Sequence, residues 1–146
     1  MSTQNAFPLT ESLSTEGLLS ALWDISKQFF AVLDIDGRIL LVNQTALTAT
    51  DNTHENIAMI PFCDAPWFPD DPEQYQAIKD SLHKAANGEV SRFDVNCFAG
   101  DGSLLIIDYS VTPIINDGDV AFLIAEGLDL TSEKASHQAL ISERKR

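Results

Sequence analysis

The chain has 146 residues, with 22 Asp and Glu against 9 Lys and Arg, a formal charge of −13 at neutral pH. That balance argues against nucleic acid, which binds through Lys and Arg, and against an anionic membrane surface; it reads as a solubility surface. The length suits one domain with one real core. Cys63 and Cys97 stand too far apart in the sequence for a disulfide framework or a zinc site. Met1 to Thr10 has neither the basic residues nor the apolar stretch of a secretory signal, and no run of about 18 apolar residues could cross a membrane. The expected setting is reducing and cytoplasmic.

In chain order, residues 1–13 are polar and read as a flexible arm. Residues 14–28 form a flanking helix: Leu18, Leu22, Ile25 and Phe29 recur at helical spacing, Leu19 and Trp23 widen the stripe, and Ser14 or Thr15 caps it. Phe30 to Val42 reads as a hairpin closed by Asp36-Gly37, a two-residue type I′ turn signal. Asn43 then caps a short helix through Thr50. Asp51 to Asp71 is broken by Pro61, Pro66 and Pro69, yet its Met59, Ile60, Phe62, Trp67 and Phe68 must be partly buried.

Asp71-Pro72-Glu73-Gln74 is a helix start, with Asp71 as cap and Gln74 placed to close a capping box. Tyr75, Ile78, Leu82, Ala85 and Ala86 give that helix one apolar face, and Asn87-Gly88 ends it. Three strands follow. Phe93, Val95 and Cys97 alternate with polar residues; Leu105, Ile107, Tyr109, Val111 and Ile115 share a face of the second strand; Val120 to Leu128 is the third. Gly100-Asp101-Gly102 and Asn116-Asp117-Gly118-Asp119 are the turns between them, and Thr131 caps a polar terminal helix. Strands separated by a helical block predict an α+β fold: a five-stranded antiparallel sheet with the helices on one face and a flanking helix at each end.

This order and five local motifs resemble the PAS domain. The hairpin Phe30 to Asn43 looks like the family's opening, in which Asn follows the second strand. Phe62-Cys63-Asp64-Ala65-Pro66-Trp67-Phe68 is similar to the "PFWETPWW" segment of a bacterial subgroup, and Ala85 to Val95 to its "AAxGExxRFEV". Asp108 to Ile114 is similar to "DFSLTPV", and Leu123 to Thr131 to "LIxEGxDIT". The resemblance implies a domain at residues 29–130 and the start of a signalling helix at residues 131–146. It implies a sensory and dimerisation module of a sensor histidine kinase or diguanylate cyclase, whose output domain lies beyond this fragment. Dimerisation would use the N- and C-terminal helices. The fragment itself would be no enzyme.

Asp129-Leu130-Thr131 is similar to the family's junction between the last strand and the signalling helix. Phe62, Cys63, Trp67, Tyr75, Ile78 and Leu82 are the candidate lining of an apolar ligand pocket, with a filled core as the favoured reading of the same residues. Cys63 lacks the "NCRFLQ" surroundings of a flavin-reactive cysteine. His83 lies too near the end of its helix, and off its apolar stripe, for a haem ligand. His54 and His137 have no metal-spaced partners, and His137 lacks the residues of a phospho-accepting box. No resident cofactor and no metal are expected. No nucleophile elbow, Walker loop or dinucleotide-binding glycine pattern is present.

Overall fold

The computed structural model describes residues 14–131. The arm at residues 1–13 and the helix expected after Thr131 lie outside the described residues. The elements in order are α1 (Thr15–Ile25), β1 (Phe29–Leu33), β2 (Ile39–Val42), α2 (Gln44–Thr50), α3 (His54–Ile57), a 3-10 turn (Phe62–Asp64), α4 (Pro72–Ala86), β3 (Ser91–Phe98), β4 (Leu104–Asn116) and β5 (Asp119–Asp129). The strands form one sheet in the order β2-β1-β5-β4-β3, every neighbour antiparallel.

Local chemistry accounts for the boundaries. Ser14 caps α1 by accepting from the Gly17 amide at 2.9 Å. Asp71 caps α4 by accepting from the amides of Glu73 and Gln74 at 3.1 and 3.3 Å, with Pro72 at the first helical position. The β1–β2 turn differs from the sequence expectation. Only Gly37 has positive φ there, at 85°, and Asp36 does not, so the type I′ condition fails. Asp34 instead organises a longer turn, its Oδ1 accepting from the amides of Asp36 and Arg38. The tight turn with two positive φ values is Asp117-Gly118, between β4 and β5.

Helices α2 and α4 cover one face of the sheet. Leu33, Ile39, Ile57, Ile78, Val111 and Leu123 are buried completely or nearly so, and each such side chain contributes about 1.5–3 kcal/mol by leaving water. Ile115 is exposed, contrary to its expected place on the core face, because a bulge between Ile114 and Ile115 breaks the alternation. Pro113 is tolerated in β4 because β3 has already ended at Ser91, paired with Val111, so no ladder bond is lost on that side.

Asn43 is wholly buried between α1, β1 and α2. Its Oδ1 accepts from the amides of Phe30 and Ala46 at 3.1 and 3.3 Å, and its Nδ2 donates to the carbonyls of Trp23 and Gln28, both at 3.0 Å. Thr45 reinforces this joint by donating to the Ser26 carbonyl, and Asp24 accepts from the Gln44 amide. The end of α1 is thus sewn to the start of α2. Replacing Asn43 by Ala strands two donors and two acceptors at about 1–3 kcal/mol for each one left dry. We expect Asn43→Ala to lose about 3 kcal/mol or more in urea unfolding, whereas Gln76→Ala on the exposed face of α4 stays within about 0.5 kcal/mol.

Candidate functional site

Small side chains on facing elements leave an apolar cavity of about 60 Å³ between the sheet and its helical cover. Ala31 on β1, Ala46 on α2, and Ala125 and Gly127 on β5 make the space; Phe62, Trp67 and Tyr109 are among the residues that close it. Ala31 is paired with Ala125 and Phe29 with Gly127, so the register stacks these small groups side by side. Gly127 is required: a Cβ there would come within 2.8 Å of Ile107 Cγ2.

The rings form one cluster. Phe62 stacks on Tyr109 with centroids 6.0 Å apart, meets Phe68 edge-on at 5.3 Å and Trp67 at 6.2 Å, and Phe93 meets Tyr109 at 5.1 Å. Polar atoms in the wall are satisfied within the protein. The Tyr109 hydroxyl bonds Ser81 Oγ at 2.8 Å, Ser81 donates to the Ile78 carbonyl, and Thr50 donates to the Ala46 carbonyl. Burial raises the Tyr109 hydroxyl above its ordinary value and, with Asp129 adding to the effect, pushes the Cys97 thiol up to about 12. The lining therefore offers a guest mainly apolar contact; Glu126 is the one acidic residue in the wall, and its carboxylate accepts from Ser110 Oγ.

Of the expected lining residues, Phe62 and Trp67 stand in the cavity wall. Ile78 and Leu82 are core residues outside it, and Cys63 and Tyr75 lie away from it, Tyr75 39% exposed. The Tyr75 hydroxyl is raised to about 12, chiefly by Cys63 and then by Asp64. Sequence reasoning missed Ala31, Ala46, Ala125, Gly127 and Cys97. The available signal was the taper Leu123, Ala125, Gly127 on one face of β5. His83 is exposed on α4, and His54 Nε2 lies 3.0 Å from the Leu40 carbonyl oxygen. Among the described residues no group of three His, Cys, Asp or Glu could hold a metal ion.

Asp129, Leu130 and Thr131 leave the sheet at the end of β5. The Leu130 amide donates to the Ile106 carbonyl and the Ile106 amide to Thr131 Oγ1, both at 2.8 Å; Asp129 Oδ1 accepts from the Thr131 amide at 2.9 Å. The Thr131 hydroxyl thus serves β4. Whether it also caps a helix, as expected, concerns amides outside the described residues.

The outer sheet face is partly apolar. Leu41, Val32 and Ile124 lie in one cross-strand row, and Phe122 and Ile114 pair beside them. Arg92 and Asp108 form an ion pair at 2.5 Å on the same face, holding the Asp108 carboxyl below its usual range. This pair stabilises the fold above the ordinary carboxylate range and stops doing so as pH falls through the lowered value. With Arg92 73% exposed, solvent screening keeps its contribution small.

The family model described as "PAS fold" matches residues 23–135. The chain belongs to the PAS family. Hybrid signal transduction histidine kinase D of Dictyostelium discoideum is 33% identical over 110 residues, 73% of this chain and 7% of that protein. Sensor histidine kinase TmoS of Ectopseudomonas mendocina is 31% identical over 131 residues, 88% of this chain and 14% of that protein. The chain therefore spans a small part of either kinase. The PAS domain of an HTR-like protein from Haloarcula marismortui superposes with a TM-score of 0.63 at 20% identity, over 79% of this chain and 96% of that one, a likeness of fold. The cavity lies behind the short helices, and Leu130 and Thr131 follow the end of β5. The chain is a signal-transduction sensory module.

The two cysteines of this PAS domain differ in exposure. Cys63 is half-exposed, whereas Cys97 is buried and its thiolate disfavoured. One equivalent of a thiol reagent is expected to react with the native chain at pH 8, at Cys63. The second should react only after denaturant unfolds the protein.

Proposed function

We propose that this PAS domain works as a sensory and self-association module that passes a conformational signal through Asp129, Leu130 and Thr131 to an attached output domain. A histidine kinase is the output favoured by the two kinase relatives, with a diguanylate cyclase as the other output of this type. The observation that carries the reading is the bonding of Leu130 and Thr131 to Ile106 in β4. A shift of the sheet would be felt directly at the residues that leave it. Signalling is then a population shift between two settings of the exit, and the domain has no turnover of its own.

Helix α1 supports self-association. Leu19, Leu22 and Ile25 are 61%, 52% and 73% exposed, and α1 has no buried residue. Trp23 stacks on Phe30 at 5.5 Å, which anchors one turn of α1 beside β1 while Leu19, Leu22 and Ile25 stay open. A second copy covering the exposed residues of α1 would take their apolar area out of water. The homodimer would use α1 and the helix expected from the sequence after Thr131.

The cavity favours a second reading, a domain that binds a small uncharged apolar molecule. About 60 Å³ falls well short of the roughly 300–1,000 Å³ of sites for drug-sized ligands, so the space suits a compact guest better than flavin or haem.

The junction is tested in a protein that carries this domain ahead of its output domain. Asp129→Ala and Thr131→Ala are expected to change the ratio of stimulated to basal output activity at least about threefold, the effect of losing roughly one hydrogen bond. An unchanged ratio in both variants would reject the transmission role.

A further inference from the structure

Strand β3 is an edge of the sheet, and the backbone groups that face away from β4 need other partners. Gln74 on α4 supplies them at Asn96. Its Oε1 accepts from the Asn96 amide at 2.7 Å and its Nε2 donates to the Asn96 carbonyl at 2.9 Å. One carboxamide thereby imitates a neighbouring strand. The Gln74 side chain is free for this because it does not close the capping box expected from the sequence; the Asp71 amide donates to the Pro69 carbonyl instead. Two residues on, the Phe98 amide donates to the carbonyl of Trp67, a cavity-wall residue, at 2.7 Å. The segment from Trp67 to Gln74 therefore grips the β3 edge at both ends.

Asn96 stands opposite Ile106 in the β3–β4 ladder. The polar groups of Asn96 point outward to Gln74, so this pair is one of the non-hydrogen-bonded rows of the antiparallel pattern. The groups of Ile106 point the other way, to Leu130 and Thr131. A single transverse row thus runs from the start of α4 through β3 and β4 to the exit, with a side chain closing it at each end.

We infer that Gln74 is a positioning residue for the exit: its carboxamide fixes β3 at Asn96, and through the Asn96–Ile106 row it sets the β4 backbone that holds Leu130 and Thr131. The inference rests on the reading of Asp129 to Thr131 as the output junction. It adds a route by which displacement of the cavity-wall segment would reach that junction without passing along β5.

The test is amide hydrogen exchange, read residue by residue by NMR, on the 146-residue chain. Gln74→Met keeps the length of the side chain and removes both bonds; Gln74→Glu keeps the accepted bond and loses the donated one; Gln76→Ala is the control. In both Gln74 variants the Ile106 and Leu130 amides are expected to exchange at least about threefold faster, while amides of β1 and β2 stay within about twofold of the unchanged chain. Acceleration confined to Asn96 would overturn the inference, because the row would then end at β3. Uniform acceleration in every strand would overturn it too, as a general loss of stability. Either failure leaves the junction reading intact, since that is judged by output activity in the Asp129 and Thr131 variants.

Discussion

Everything that flanks the sheet on its N-terminal side depends on the four hydrogen bonds of the Asn43 side chain. A buried carboxamide has two donors and two acceptor sites, and here each is used once or more: Trp23 and Gln28 carbonyls on one side, Phe30 and Ala46 amides on the other. These partners belong to the end of α1, the turn after it, the start of β1 and the start of α2. Remove the amide and all four backbone groups lose the partner that a wholly buried side chain supplied. The joint also decides where the exposed stripe of α1 is held, and therefore which surface a second copy would meet.

A second joint holds the opposite end of the molecule. Gln74 and Trp67 protect the outer edge of β3, and Thr131 uses its hydroxyl where a backbone carbonyl would otherwise complete the ladder beside Ile106. Side chains acting as strand partners close the sheet where no further strand exists. Between the two joints lies the cavity, bounded by small groups that the register has brought together. Its walls are apolar and its hydroxyls are committed to neighbours, so the domain's interior can respond to volume more readily than to charge.

Much of this was legible because its chemistry is local. Asp71-Pro72 announces a helix start, Asn43 a cap, and the alternation in β3 and most of β4 a half-buried sheet. The family resemblance rested on motifs spread over these same elements. What could not be read depends on partners distant in sequence. Asn43 was visible as a cap, but its bonds to Trp23 and Gln28 require the fold that returns α1 to it. Gln74 has the right spacing for a capping box and spends its side chain on β3. The cavity was sought among large apolar residues, yet a cavity is made by small ones, and Ala31 faces Ala125 only once the register is known. Ile78 and Leu82, chosen for their helical stripe, are ordinary core.

We propose that this PAS domain is a self-associating relay whose exposed α1 stripe is covered by a second copy. Native mass spectrometry of the purified chain tests it most directly. A species at twice the 16.0 kDa chain mass, without additional bound mass, is expected. A chain that remains monomeric, or that carries an extra mass in its single-chain form, would contradict it.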